Sequence, residues 1–273
     1  MTIHKDKLAV AISIINNDTF GTYMSGKFEN LASDIFFEKE LGDISLKQIL
    51  SYLNFIQQDL WNLQEICLRL DWQKQLFSKN ELNIGWWMGF ARLDIEHFHF
   101  EFRSIFDYIA KIFRQVSDIP GETKERSFEK LRNWVTKEKN AKKIGGDIAT
   151  SVLSVNWFDE VKALRELITH FGGEALTFPE KGRILFQVTR GWKDYVSIPE
   201  IMYNENVADF ELYAGMYIGY LFAYLENIST LVRSRLNIIE RNTDSRSYHP
   251  GLGVIKEWIS KVGVVSKNRF IKR

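Results

Sequence analysis

The chain has 273 residues, enough for one large domain or two small ones at roughly 100–200 residues per domain, and nothing in it forces a division. With 45% hydrophobic and 14% aromatic residues it can build a sizeable core, which excludes intrinsic disorder. Thirty-six basic and thirty-five acidic side chains leave a formal net charge of +1, so no global field draws it to nucleic acid or a membrane, and any such partner must meet a local patch.

From the start of the chain, Leu8-Ala9-Val10-Ala11-Ile12 lies in a stretch without the small-residue cleavage site of a leader peptide, which predicts an N-terminal helix over Met1 to Asp18. The positions Leu46, Ile49, Leu50, Leu53, Ile56, Leu60, Leu63, Ile66 and Leu70 step by three and four around the adjacent pair Ile49 and Leu50, the spacing of one helix face, with Ser45 as its N-cap. The lone cysteine, Cys67, sits among them as a small packed hydrophobe. It rules out an internal disulfide and the multi-cysteine zinc motifs, and it fits a reducing, cytoplasmic setting.

A second, aromatic stripe runs through Trp86, Phe90, Leu93, Phe98, Phe102, Ile105, Ile109, Ile112 and Val116, and stops at Asp118-Ile119-Pro120-Gly121. A shorter amphipathic segment follows Ser127 with Phe128, Leu131 and Trp134, and its polar continuation from Lys137 to Lys143 is expected to be a solvated face or loop. Trp157, Val161, Leu164, Ile168 and Phe171 then mark another helix, capped by Asn156 and stopped by Gly172-Gly173. The period next changes to two. Leu176 and Phe178, the turn Pro179-Glu180-Lys181-Gly182, and Ile184, Phe186 and Val188 predict a β-hairpin, inserted over residues 174–203.

A long helix is expected from near Val207 to Arg241, roughly 45–50 Å at 1.5 Å per residue. Its most apolar window, Ala214 to Leu225, falls short of the roughly 20 residues of a bilayer span, so no membrane helix is expected. Gly215 and Gly219, one turn apart, point to close approach of another helix. A short helix from Val254 to Val262 and a basic tail of Lys267, Arg269, Lys272 and Arg273 end the sequence. Without strand-helix-strand alternation the fold class is all-α: a single up-and-down helical bundle over residues 1–273 with a small inserted β-hairpin.

Enzyme templates are sparse. The sequence holds no nucleophile elbow, no phosphate-cradling loop, no dinucleotide fingerprint and no H-E-x-x-H, and no cofactor is expected. Asp94, Glu96, His97, His99 and Glu101 contain one E-x-x-H step, Glu96 to His99, of the kind that bundle di-iron sites use twice, but no second step exists. The plainer expectation is an i, i+4 pair of His97 with Glu101, and His99 beside a polar patch. Tyr248-His249-Pro250-Gly251 has the chemistry of a turn.

The stretch Arg165-Glu166-Leu167-Ile168-Thr169-His170 carries the main functional signal. It resembles the R-x4-6-H motif of the HEPN superfamily, all-α domains of toxins, defence systems and RNA-processing nucleases. The resemblance extends to the Glu96–Asp107 stretch, similar to the long upstream helix of many HEPN domains. It covers roughly Leu46 to Phe171 and the helix after Val207. It implies a metal-independent ribonuclease working as a homodimer, with RNA as substrate and an antitoxin or other protein as a further partner. By that resemblance Arg165 grips the scissile phosphate, His170 is the general acid or base, and Glu166 orients them. The family most often has Asn, Asp or His where this chain has Glu166.

The residue types suit that chemistry: imidazole moves protons near neutral pH and guanidinium grips phosphate through a planar fork. Five steps at 100° separate Arg165 from His170 by about 140°, so they converge only if the arginine swings and His170 lies in the last turn. Lys130, Arg132 and Trp134, with Lys137, Lys139, Lys142 and Lys143, form a candidate track for a nucleic-acid backbone with one stacking ring.

Overall fold

The computed structural model describes residues 3–16, 26–38, 44–119, 127–180, 182–189, 198–241 and 251–268; the Tyr248–Pro250 turn and the end of the basic tail lie outside them. Ten α-helices and one small sheet make up the described residues, in line with the expected all-α bundle. The helices are α1 (Lys5–Asn16), α2 (Leu31–Glu38), α3 (Ile44–Ser78), α4 (Ile84–Val116), α5 (Phe128–Val135), α6 (Glu138–Ile144), α7 (Gly146–Leu153), α8 (Phe158–His170), α9 (Phe210–Leu236) and α10 (Gly251–Asn268).

Helices α3 and α4 form an antiparallel hairpin about 50 Å long. Its turn closes when Asn80 adopts a left-handed conformation (φ 58°) and Asn83 accepts a hydrogen bond from the Gly85 amide at 2.8 Å. The α3 stripe is buried as its spacing predicts, with Leu50 alone only partly so, although α3 begins at Ile44, so Ser45 lies inside the first turn instead of capping it.

The α4 stripe needs a correction. From Phe98 onward it faces the core, but Trp86, Phe90 and Leu93 are 65%, 44% and 57% exposed, and Trp87, Ala91 and Ile95 are buried in their place. The cause is the five-residue step from Leu93 to Phe98, which rotates the face by about 140°. The first half of the stripe therefore lies on the solvent side of the helix.

At the centre stands α9, with every residue from Phe210 to Leu225 buried, enclosed by α1, α4, α7, α10 and the sheet. A helix apolar on all sides belongs in the middle of a bundle. Asp209 caps its start by accepting from the Glu211 and Leu212 amides, and Asn237 (φ 50°) ends it four residues before the expected Arg241. The glycines act as their spacing implies. A Cβ on Gly215 would lie 2.6 Å from the Trp258 carbonyl carbon of α10, and one on Gly219 would lie 2.8 Å from Leu8 Cδ2 of α1. Among the described residues no helix is long and apolar enough to cross a membrane.

The run from Lys137 to Lys143, expected as a solvated face or loop, is mostly the short helix α6, whose one buried residue is Ile144, followed directly by α7. The hairpin forms as β1 (Ala175–Glu180) against β2 (Arg183–Val188), in register from Ala175↔Val188 to Glu180↔Arg183. A third strand, β3 (Ala208–Asp209), extends the sheet beyond residue 203 and leads straight into α9. Ala175 and Thr177, not Leu176 and Phe178, are the buried positions of β1, because β1 lies along α4: Thr177 Oγ1 donates to the Met88 carbonyl at 2.9 Å.

Candidate functional site

Helix α8 begins after Trp157, which occupies the cap position expected for Asn156 and offers no side-chain cap. Its buried line is Phe158, Val161, Leu164 and Leu167, packed towards α4. The helix stops where expected: Gly172 takes φ 60°, and the Gly173 amide returns to the Leu167 carbonyl at 2.8 Å. Phe171, expected on the buried stripe, is 61% exposed.

At this terminus Arg165 Nη1 lies 3.2 Å from His170 Nε2. The angular gap is closed by the reach of the arginine towards the last helical residue. A guanidinium only donates, so His170 Nε2 is the acceptor in this arrangement and carries a lone pair. The Arg165 guanidinium carbon stands 5.9 Å from the centre of the Phe100 ring on α4, and its Nε is buried without a partner. Phe100 is 38% exposed, so one arginine links an imidazole to an accessible aromatic face.

Glu166 goes elsewhere. Its Oε1 is 3.7 Å from Lys162 Nζ, and Lys162 also pairs with Glu129 of α5. Arg132 pairs with Asp159 at 2.5 Å in the first turn of α8, Lys130 is exposed, and Trp134 is half-buried against the core. Asp159 precedes His170 by eleven residues, about 16 Å of rise. The structure thus brings Arg165 and His170 together and leaves Glu166, Lys130, Arg132 and Trp134 apart from them.

Comparison with family models, curated proteins and solved structures finds no match to the chain. The site therefore stands on its own geometry.

The histidines of α4 divide sharply. His97 Nε2 is 2.6 Å from Glu101 Oε1, the i, i+4 pair expected from the sequence, and its side chain is half exposed. Beside Glu101, between α3 and α4, sits Asp59, one of whose oxygens is buried without a hydrogen-bond partner. Burial first, then the neighbouring Glu101 charge, pushes this carboxyl up to about 7, against an opposing hydrogen bond from Ser104.

His99, in contrast, has no contact with a polar patch. It is fully buried, its Nδ1 is 2.7 Å from the Ile95 carbonyl and its Nε2 is 3.1 Å from the Tyr213 hydroxyl. Both ring nitrogens are spent within the core. Glu96 is likewise engaged, accepting from the Ala175 amide at 3.2 Å. Among the described residues no cluster of three or more His, Cys, Asp or Glu side chains could hold a metal ion, so the Glu96–His99 step has no completing ligands there.

A cavity of about 450 Å³ opens elsewhere, at the start of α9, between Arg183, Asp209, Leu212, Lys261 and Val265. Glu211 at its edge is held by Lys74 and Lys261, each at 2.6 Å. Neither Arg165 nor His170 lines it.

Two features escaped the sequence. Phe100 carries no motif, and only three-dimensional packing puts it under Arg165. The exposed apolar face of α4, Trp86, Phe90 and Leu93, was concealed inside a stripe assigned to the core. Its one available signal was the five-residue step.

Proposed function

We propose that this chain is a metal-independent ribonuclease of the HEPN type, working in a toxin or defence setting in the cytoplasm. The observation that carries the proposal is the 3.2 Å approach of Arg165 to His170 at the end of α8. Arg165 binds the scissile phosphate and neutralises charge developing on it. His170, whose Nε2 lone pair is freed as Arg165 turns from it to the phosphate, takes the proton of the ribose 2′-hydroxyl. The 2′ oxygen bonds to phosphorus, the bond from phosphorus to the 5′ oxygen breaks, and the leaving oxygen is protonated. The products are a 2′,3′-cyclic phosphate and a 5′-hydroxyl.

The protein acts as a homodimer. Ile84, Trp86, Phe90 and Leu93 support this part of the proposal, being an exposed apolar run with Trp86 stacked on Phe90 at 5.7 Å. Such patches mark interaction surfaces.

The test is cleavage of oligoribonucleotides in the presence of a chelator, with end-group analysis. Activity is expected from the wild type, and Arg165→Ala and His170→Ala are expected to abolish it at unchanged melting temperature. Intact RNA at high protein concentration favours a second proposal, a non-catalytic HEPN-like module that binds RNA, a nucleotide or a protein partner such as an antitoxin. The position of His170 on an exposed helix end, outside the 450 Å³ cavity, is the observation on its side.

A further inference from the structure

The cavity at the start of α9 lies apart from Arg165 and His170, and the charged groups that line it are of two kinds. Some are already spent. Buried Glu211 gives one oxygen to Lys74 and the other to Lys261, each at 2.6 Å, and Lys261 also reaches Glu257 at 2.8 Å.

Asp209 and Arg183 are not spent. Asp209 is only 6% exposed, and its Oδ1 accepts from the Glu211 and Leu212 amides at 3.0 and 3.3 Å. Among the described residues no hydrogen bond reaches its Oδ2, since Arg183 Nη1 at 3.6 Å stands too far to donate one. Burial first, then the Glu211 charge, push the Asp209 carboxyl above its ordinary value, against the pull of the two amides and Arg183. Arg183 is half exposed, and its guanidinium carbon is 5.8 Å from the centre of the Tyr203 ring. A buried acceptor and a planar fork of donors therefore lie side by side on the lining of one cavity.

Their opposite charges select the ligand. An anion alone at Arg183 would also face the Asp209 carboxylate, and a cation alone at Asp209 would also face the guanidinium, and like charges so placed repel. A head group that carries an ammonium and a carboxylate on one carbon meets both without either repulsion. Leu212, Val264 and Val265 offer an apolar surface for what that carbon bears. The volume, about 450 Å³, falls within the roughly 300–1,000 Å³ of small-molecule sites.

We propose that this cavity binds a free α-amino acid with a large apolar side chain. The ammonium donates to Asp209 Oδ2, the carboxylate accepts from the Arg183 fork, and the side chain packs on Leu212, Val264 and Val265. The site is independent of the ribonuclease reading.

Isothermal titration calorimetry of the full chain with L-phenylalanine tests it, and binding with a Kd of about 1 mM or tighter is expected. N-acetyl-L-phenylalanine lacks the ammonium and L-phenylalaninamide lacks the carboxylate, so each loses a charge-assisted hydrogen bond and should bind about tenfold more weakly or worse. L-alanine, without the apolar bulk, should be weakened to a similar degree, about tenfold. Arg183→Gln and Asp209→Asn should each weaken L-phenylalanine by about tenfold or more. The asparagine keeps a side-chain oxygen to cap α9, and an unchanged melting temperature shows that it folds. Should it fail to fold, Arg183→Gln, at a half-exposed position, carries the test alone. Absence of binding by the wild type overturns the proposal. So do equal affinities for L-phenylalanine and either blocked derivative, or full retention of binding by Arg183→Gln.

Discussion

His99 and Tyr213 meet inside the core at 3.1 Å, with the imidazole accepting on Nε2 because its Nδ1 proton is committed to the Ile95 carbonyl. Burial lowers the His99 pKa from its ordinary value to about 4. In the folded protein this ring therefore stays neutral through the range where a free histidine gains its proton. Its contribution to stability is complete above pH 6.5 and is lost as pH falls towards 4. Nuclear magnetic resonance of the His99 ring should show no titration between pH 8 and pH 5. The double variant His99→Leu with Tyr213→Phe, which leaves no orphaned hydroxyl, should lose less stability between pH 7 and pH 5 than the wild type does in urea.

Asp59 has the opposite sign. Its carboxyl is raised to about 7 in the fold from an ordinary value near 3.8, so the folded state holds the proton more tightly than the unfolded chain. Stability from this group is greatest below pH 4 and declines as pH rises to 7, after which the cost is constant. Asp59→Asn should raise the melting temperature at pH 8 and leave it nearly unchanged at pH 4. A variant less stable than the wild type at pH 8 would show that the carboxylate is satisfied in the fold.

The glycines of α4 and α9 should respond in opposite directions. Gly215→Ala places a methyl group 2.6 Å from the backbone of α10, where no flexible side chain can yield, and should cost about 1–3 kcal/mol. Gly89→Ala, in the interior of α4 with nothing within 4 Å of the new carbon, should gain about 0.5–1 kcal/mol from helix propensity. Urea unfolding of the two variants checks both signs.

The exposed face of α4 gives the proposed homodimer its test. A buried leucine contributes about 1.5–3 kcal/mol, so Leu93→Glu should weaken self-association at least tenfold in sedimentation equilibrium. Monomeric wild-type protein at high concentration would remove the homodimer from the proposal.

Much of this architecture is legible in the residues, and the misses have physical causes. The α3 stripe could be traced residue by residue because, apart from the adjacent pair Ile49 and Leu50, its steps are all three or four, and the Gly172-Gly173 stop could be placed because only a left-handed turn continues the chain there. In α4 aromatic residues occupy two faces, so composition alone could not show which face met the core. The run from Lys137 to Lys143 could be placed only as a solvated face or loop because its charges mask the single buried anchor of α6, Ile144. At the candidate site the Arg165-to-His170 spacing left the outcome to the arginine rotamer, which only the packing around Phe100 decides. That Glu166 turns to Lys162 instead could have been inferred from their i, i+4 spacing.

The docking of α1 against α9 sets a timetable for synthesis. The His4 amide donates to the Tyr220 hydroxyl across 216 residues, and Leu8 fills the notch above Gly219. At translation rates of 5–20 residues per second the first helix waits on the order of 10–40 s before its seat has been made. A chain released from the ribosome before Leu236 would keep the apolar side of α1 in water, so such truncated products should be bound by chaperones or aggregate.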